Sequence, residues 1–339
     1  MAGVFVGLDN GGTSNNATVL TDTGTFLVEG LHENPSRVRE GPDAALEALA
    51  QAFDSVLAAA GCDRADVRAV GLDTPGPASA TGVISVRGST NFGHAGWRGF
   101  DIRSALQALL ALPVVYNNDG NAASLYAHTV HHGVASDTTS SVSAIVGTGL
   151  GGGIVCNGQI VSGAAGMAGE VGHVHIPLDG LLVASQPVPT CNCGFRGDTE
   201  SLASLTAIER NLLPFWLGHY PGHPLGELPI AAAAREVRRY GEAGDELALR
   251  IFEQQAAALG RLFTIAANMV DPDTYFVGGG VVQAEPSFAE WFLGRVREHT
   301  RLREEQAAVA TFQVVPDLDT AGARGSALAA AAFARAARL

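Results

Sequence analysis

Val4-Phe5-Val6-Gly7-Leu8-Asp9-Asn10-Gly11-Gly12-Thr13 begins as an apolar, strand-forming run and passes directly into a carboxylate, an amide, two glycines and a hydroxyl. A strand that ends on glycines brings backbone N–H groups within reach of a phosphate, because no Cβ stands in the way. The same device returns about 140 residues later, a spacing that signals duplication rather than a solenoid. There an expected strand over 143–146 runs into Gly147-Thr148-Gly149-Leu150-Gly151-Gly152-Gly153. The neighbours repeat as well. Strands are expected over 4–8, 17–20 and 26–31, with Asp22-Thr23-Gly24 as a turn, and again over 143–146, 154–156 and 159–161 around the hairpin pair Asn157-Gly158.

Between and after these starts the pattern alternates. Pro42 opens and Gly61 closes an Ala/Leu helix, the positions each residue favours. A buried strand over 67–72 ends at Thr74-Pro75-Gly76, and a helix over 102–110 leads to a strand over 114–116 and then to Asn117-Asn118-Asp119. The second half carries a long helix over 245–269, a strand over 275–277 ending on Gly278-Gly279-Gly280, and a last helix over 325–336. The reading is an α/β protein of two duplicated lobes with a cleft between them. The first lobe is expected over 1–119 plus the closing helix at 323–339, the second over 120–322, including an irregular loop at 170–200.

The 339 residues suit two lobes, and 47% hydrophobic content supplies their cores. A net charge of -13 disfavours broad nucleic-acid binding but not a nucleotide, whose phosphates are met locally by backbone donors. Met1 leads straight into the first strand with no leader, and no apolar run is long enough to span a bilayer. A cytoplasmic protein without membrane or nucleic-acid partners is expected. Of four cysteines, Cys62 and Cys156 stand alone, while Cys191 and Cys193 have a spacing better suited to a metal than to a disulfide.

The candidate chemistry lies at the strand ends. Asp9, Gly11, Gly12 and Thr13 form one phosphate-type turn, with Asp9 placed to hold Mg2+ through water; Thr148 and Gly149 belong to the second, and Gly279 to a third glycine cluster suited to close approach by a base or ribose. Asp119, after an apolar strand, is placed to take a proton from an attacking hydroxyl, or else to cap the helix that follows. His173, Cys191 and Cys193, with Asp198 as an oxygen donor, form a possible zinc set, with His175 a competing ligand. Neither glycine segment fits G-x-x-x-x-G-K-[ST], and no H-R-D loop is present.

Taken in order, these segments resemble the ROK family of sugar kinases and sugar-responsive repressors over nearly the whole chain. The family's D-x-G-G-T corresponds to residues 9–13, N-D-x-N-A-A to 118–123, G-T-G-x-G-G-G to 147–153, G-E-x-G-H to 169–173, C-x-C-G-x-x-G-C-x-E to 191–200 save one position, and D-P-x-x-x-x-x-G-G-G to 271–280. The resemblance implies the two-lobed actin-like (ribonuclease H-like) ATPase fold, with duplicated βββαβα lobes around a cleft. It implies ATP, Mg2+ and transfer of the γ-phosphoryl group to the primary hydroxyl of a hexose of glucose or N-acetylhexosamine type. By position, Asp119 is the general base, and Asn118, Glu170, His173 and Glu200 bind the sugar. Gly11, Gly12, Thr13 and Thr148 belong to the phosphate turns, and His173, Cys191 and Cys193 match three zinc ligands. Asp198 stands where the family has a fourth cysteine, which makes a harder and weaker zinc site. The interval between His173 and Cys191 is longer than in most glucokinases of the family and closer to some N-acetylglucosamine kinases and fructokinases. The family also implies a homodimer or homotetramer.

Other readings compete with a hexose kinase. A repressor of the same family would carry a DNA-binding domain ahead of Asp9, which lies too near Met1 for one. A non-catalytic sugar sensor would need a damaged base or phosphate turn. A kinase of a cyclitol or amino sugar keeps every motif and changes only the acceptor.

Overall fold

The computed structural model describes residues 3–76, 78–86 and 92–338. The chain ends named in the expected lobe limits, residues 1 and 339, lie outside them. The chain forms two compact units: Met1–Ser136 with Gly158–Gly169 and Pro316–Leu339, and Asp137–Asn157 with Glu170–Val315.

In the first unit, β1 (Val4–Asn10), β2 (Ser14–Thr21) and β3 (His32–Pro35) form a meander, followed by α1 (Pro42–Ala60), β4 (Val67–Thr74), α2 (Ile102–Leu110), β5 (Val114–Asn118) and α3 (Asp119–His132). The sheet order is β3-β2-β1-β4-β5, with β2 antiparallel to β1 and β3, and β4 parallel to β1 and β5. α1 has Pro42 in its first turn and ends at Gly61, whose φ of 66° needs no Cβ penalty. Its buried stripe Ala45, Leu49, Phe53 and Val56 follows the helical repeat.

One strand is displaced from expectation. Residues 26–31 do not form the third strand, and only Phe26 bridges to Leu20. The Phe26 ring is taken by other contacts: Arg324 lies over it at 5.0 Å and Tyr126 meets it edge-on at 6.3 Å. Arg324 also donates to the Glu29 carbonyl. The apolar run packs through its side chains, and pairing passes to the polar segment His32–Pro35.

The second start is β6 (Ser141–Val146), β7 (Leu150–Cys156) and β8 (Gln159–Ile160). The short helices α4 (Leu205–Ala207) and α5 (Leu213–Leu217) precede α6 (Ile230–Glu242) and α7 (Glu246–Met269). Then come β9 (Thr274–Gly279), α8 (Pro286–His299), α9 (Glu304–Ala307), β10 (Thr311–Val314) and finally α10 (Leu318–Ala337). The second sheet runs β10-β9-β6-β7-β8, the order of the first sheet read from its other edge. The hairpin pair Asn157 and Gly158 has φ of 48° and 73°, as a tight turn between twisted strands requires. Three glycines expected in a loop, 151–153, lie inside β7; a Cβ on Gly152 would sit 2.1 Å from the Ser143 carbonyl of the adjacent strand.

The long amphipathic α7 centres the second unit's core, with Ile251, Phe252, Leu259 and Phe263 buried among Tyr275, Phe288 and Phe292. The last helix, α10, belongs to the first unit and starts earlier than the sequence pattern suggested. Glycines make its close seat possible. A Cβ on Gly7 of β1 would lie 1.9 Å from the Ala323 carbonyl, and one on Gly71 of β4 would lie 1.9 Å from that of Ser326. Gly325 in turn lets α10 approach α3, at the Ala122 carbonyl.

Candidate functional site

β5 ends at Asn118 and α3 begins at Asp119, so the order of these two residues decides their roles. Asn118 is the N-cap: its Oδ1 accepts from Asn121 N at 2.7 Å. Asp119 is thereby released from the capping role. It sits exposed in the first turn of α3, with Oδ1 accepting from Gly120 N at 2.8 Å.

Asp9 and Asp73 lie opposite each other on the parallel strands β1 and β4. Asp9 accepts from Asn16 Nδ2 at 2.9 Å. Asp73 is fully buried and accepts from Ser326 Oγ at 2.8 Å. Burial first, and then the neighbouring Asp9, push the Asp73 carboxyl well above its ordinary range, against the Ser326 hydrogen bond. Gly322 of α10 closes over both carboxyls: a Cβ there would be 3.3 Å from Asp73 Oδ2 and 3.3 Å from Asp9 Cγ. The turn itself is held by Gly11 N donating to Ser14 O at 2.9 Å and by buried Asn10 donating to Asn15 Oδ1 at 2.6 Å. Gly12 and Thr13 complete this turn between β1 and β2. Asp73 was not legible as a site residue, because an Asp in a buried strand has no local signature.

In the second unit, Gly147, Thr148 and Gly149 turn between β6 and β7. The Gly147 and Thr148 carbonyls are tied back by Leu205 N at 2.9 Å and Thr206 N at 3.1 Å, leaving Thr148 exposed. This turn opens on a cavity of about 330 Å³ whose walls include Leu205, Ile208, Ala234, Phe252 and Val281. Volume and apolar lining suit a planar base, with polar groups at the edge. Gly279 has φ of 92°, and a Cβ there would lie 2.1 Å from the Val146 carbonyl, so the third glycine cluster is needed to pass beside β6. Arg238 fastens the segment after it, donating to Gly280 O at 2.8 Å and Gln283 O at 3.2 Å. Arg235 and Arg238, both lining the cavity, lie on α6, a helix the motifs do not touch.

The loop at 170–200 gathers the expected ligand set. One donor atom from each of His173, Cys191, Cys193 and Asp198 lies within 4.8 Å of all the others. His173 Nδ1 is 3.3 Å from Asp198 Oδ2 and 3.9 Å from Cys191 Sγ, and Cys193 Sγ is 3.6 Å from the same Asp198 oxygen. Tetrahedral bonds of about 2.0–2.3 Å set neighbouring ligand atoms about 3.3–3.8 Å apart, so the donors fit a zinc ion. His175 is not in the set; its ring packs 5.2 Å from Phe195. Burial alone would raise the Asp198 carboxyl, but hydrogen bonds from His173, Cys191 and Ser201 outweigh it and hold it below its ordinary value. The Asp198 hydrogen bond raises the His173 imidazole. Without a metal, burial pushes the Cys191 thiol far up.

Glu200 links this cluster to the glycine turn, accepting from Leu150 N at 2.8 Å through Oε2 and from Cys191 Sγ at 3.1 Å through Oε1. Glu170 immediately precedes the single helical turn Val171–His173, and its carbonyl accepts from His173 N at 3.1 Å. The second unit therefore brings Glu170, His173 and Glu200 into one loop system, and the first carries Asn118 and Asp119 on one strand-to-helix junction.

Comparison with known proteins gives a match to the ROK family model over residues 5–332. A glucokinase of Halalkalibacterium halodurans is 31% identical over 87% of this chain and 84% of its own. An N-acetylmannosamine kinase of Citrobacter koseri is 28% identical over 95% of this chain and 97% of its own. Among solved structures, a ROK hexokinase from Thermus thermophilus superposes with a TM-score of 0.77 and 30% identity, covering 98% of this chain and 99% of that one. A ROK family glucokinase from Streptomyces griseus, in complex with glucose and AMPPNP, gives 0.66 and 26%, covering 97% and 99%. The expected actin-like α/β fold is shown by these neighbours, with its two five-stranded sheets in repeated order.

Proposed function

The chain belongs to the ROK family, and from that premise we propose that it is an ATP-dependent sugar kinase that phosphorylates the primary hydroxyl of a hexose. The observation that carries the reading is the division of labour at the β5–α3 junction. Asn118 caps the helix, and the Asp119 carboxylate is exposed in its first turn, where we assign it as the base.

By the family motifs they occupy, Asn118 and Asp119 in the first unit and Glu170, His173 and Glu200 in the second are the residues we assign to the acceptor. Because His173 Nδ1 faces the Asp198–Cys191 cluster, Nε2 is left to meet a sugar hydroxyl, so its two expected roles are compatible. The cavity beside Phe252 and Val281 suits the nucleotide base, and the Thr148–Gly149 turn at its edge would offer donors to the phosphates; Gly11–Thr13 is the second turn we assign to phosphate. Asp9 would hold Mg2+, which when bound would neutralise charge on the transferred phosphoryl group. Asp119 removes the proton from the attacking hydroxyl.

Zinc bound by His173, Cys191, Cys193 and Asp198 would staple the 170–200 loop and fix Glu170 and Glu200. The donor set favours it, because two sulfurs, one imidazole nitrogen and one carboxylate oxygen are gathered within 4.8 Å of one another. Among the described residues no helix is long and apolar enough to cross a membrane. A homodimer or homotetramer follows from the family.

The test is product analysis by phosphorus NMR with proton coupling. A phosphate ester on a CH2 carbon supports the assignment. Phosphate on a ring or anomeric hydroxyl rejects it.

A further inference from the structure

Glu200 has an attachment that its assignment to the acceptor does not use. Its Oε2 accepts from Leu150 N at 2.8 Å, at the end of the glycine turn, while Oε1 lies 3.1 Å from Cys191 Sγ in the 170–200 loop. The turn is closed down on the first of these oxygens: a Cβ on Gly149 would stand 2.6 Å from Oε2. The chain after Glu200 holds the other side of the turn. Leu205 N donates to Gly147 O at 2.9 Å, and Thr206 reaches Thr148 O twice, from N at 3.1 Å and from Oγ1 at 2.8 Å. Gly147 N is spent on Gly149 O. That leaves the N–H groups of Thr148 and Gly149 as the two in the turn with no acceptor among the described residues. These donors are thus set between a carboxylate and the start of α4, all within the second unit. A charge-assisted bond to Leu150 N fixes the shape of the turn, yet a carboxylate beside a phosphate-type turn also repels what the turn is built to hold.

We propose that Glu200 is a positioning residue for the nucleotide, and that its charge makes nucleotide binding depend on the acceptor. The inference rests on the sugar-kinase reading, in which Glu200 also meets the acceptor. With the acceptor site empty, the carboxylate keeps the turn in shape but opposes the phosphates beside it. Hydroxyl groups of a bound sugar that donate to the carboxylate draw its charge away from the turn, while Oε2 keeps its bond to Leu150 N. Nucleotide then binds more tightly when sugar is present, and sugar binds more tightly, by the same factor, when nucleotide is present. ATP is held well only where an acceptor is ready for it, which limits transfer to water.

The experiment measures the dissociation constant of AMPPNP with Mg2+ by calorimetry on the zinc-loaded protein, for the parent and for Glu200→Gln. Each is measured without sugar and with the accepted hexose at a concentration shown to saturate that protein. Glutamine keeps the shape of the side chain and an oxygen that can accept from Leu150 N, and it removes the charge. In the parent, sugar tightens AMPPNP by about fivefold or more. Without sugar, Glu200→Gln binds AMPPNP about threefold or more tighter than the parent does, and saturating sugar adds little further. Loss of a merely structural residue would move the sugar-free affinity the other way. Sugar-free binding by Glu200→Gln that is equal to or weaker than the parent's overturns the proposal, and so does a sugar effect that survives undiminished in it. Should the variant fail to fold, the parent alone decides, because AMPPNP affinity that sugar leaves unchanged contradicts the coupling. Failure of the kinase reading looks different: the parent then phosphorylates no hexose, whereas a hexose that is phosphorylated without coupling between the two substrates defeats this inference alone.

Discussion

Gly325→Ala sets two well-understood effects against each other. Gly325 lies inside α10, and alanine in a helix interior is favoured over glycine by about 0.8–1 kcal/mol. Propensity therefore predicts a more stable protein. Packing predicts the reverse, because the new Cβ would lie 1.8 Å from the Ala122 carbonyl, where real contacts do not fall under 3.0 Å. The two helices would have to separate by roughly the difference, more than 1.2 Å, and the blocking atom is backbone that cannot rotate away. Overpacking of this kind costs about 1–3 kcal/mol and often more, so packing wins. With about 2–4 °C lost per kcal/mol in a unit of this size, a calorimetric scan should show Tm lowered by several degrees. The same movement has a functional readout. Ala122 is on α3, three residues after Asp119, and displacement of a reacting group by about 1 Å can cost about a hundredfold in rate. We expect kcat to fall with KM for ATP little changed, since the nucleotide cavity is built from the other unit. A Tm raised by Gly325→Ala, with normal kcat, would refute the close-packing argument.

Asp119→Asn removes the base while keeping size and the first-turn position. kcat should fall by about 10²–10⁴, with the sugar dissociation constant, measured calorimetrically, kept within a few-fold; near-normal turnover removes Asp119 from its role. Asp73→Asn tests the buried carboxyl. Its folded-state pKa is raised above the ordinary 3.8, so the stability associated with the neutral form is complete below that value and is lost as pH rises through the folded value. The variant imitates the neutral form, so its Tm advantage over the parent should grow as pH rises above the ordinary 3.8; an advantage that is flat or shrinks with pH contradicts a raised Asp73. Asp198→Cys should convert the ligand set to three sulfurs and one nitrogen and slow zinc loss to a chelator by about tenfold or more. Metal analysis of the parent protein showing well under a tenth of an equivalent of zinc, roughly, would remove the staple.

Much of the fold could be read from residues because local and tertiary preferences agree. α1 lies between a proline and a glycine, α2 has an Asp101 cap accepting from Ser104 N, and α7 has an Asp245 cap ahead of a long amphipathic run. Disagreement appears where tertiary contacts take over. Phe26 reads as strand but is claimed by Arg324 and Tyr126, contacts that arise only when the last helix docks. Residues 151–153 read as loop because glycine is rare in strands, yet the approach of β6 demands glycine at 152. The extent of α10 was underestimated because its first turns carry glycines: Gly322, which lies against Asp9 and Asp73 of β1 and β4, and Gly325, which lies against α3.

The site divides in the same way. Its motif residues cluster locally, so the turns at 9–13 and 147–149, the Asn118–Asp119 junction and the 170–200 loop were all visible in the sequence. The sequence left open whether Asp119 was cap or base, since both roles use the same residue type in the same place. Only the geometry shows Asn118 taking the cap. Asp73, Arg235 and Arg238 were invisible because each depends on partners distant in sequence or on a shape that only packing creates.

The most direct test of the central claim is ADP release by the zinc-loaded protein with ATP and Mg2+ across glucose, N-acetylglucosamine, N-acetylmannosamine, mannose, fructose, allose and an amino sugar, with Asp119→Asn alongside. The account predicts sugar-dependent ADP release with at least one hexose, nearly abolished in the variant. No sugar-dependent release from folded protein with any of these acceptors, or equal release from the variant, would contradict it.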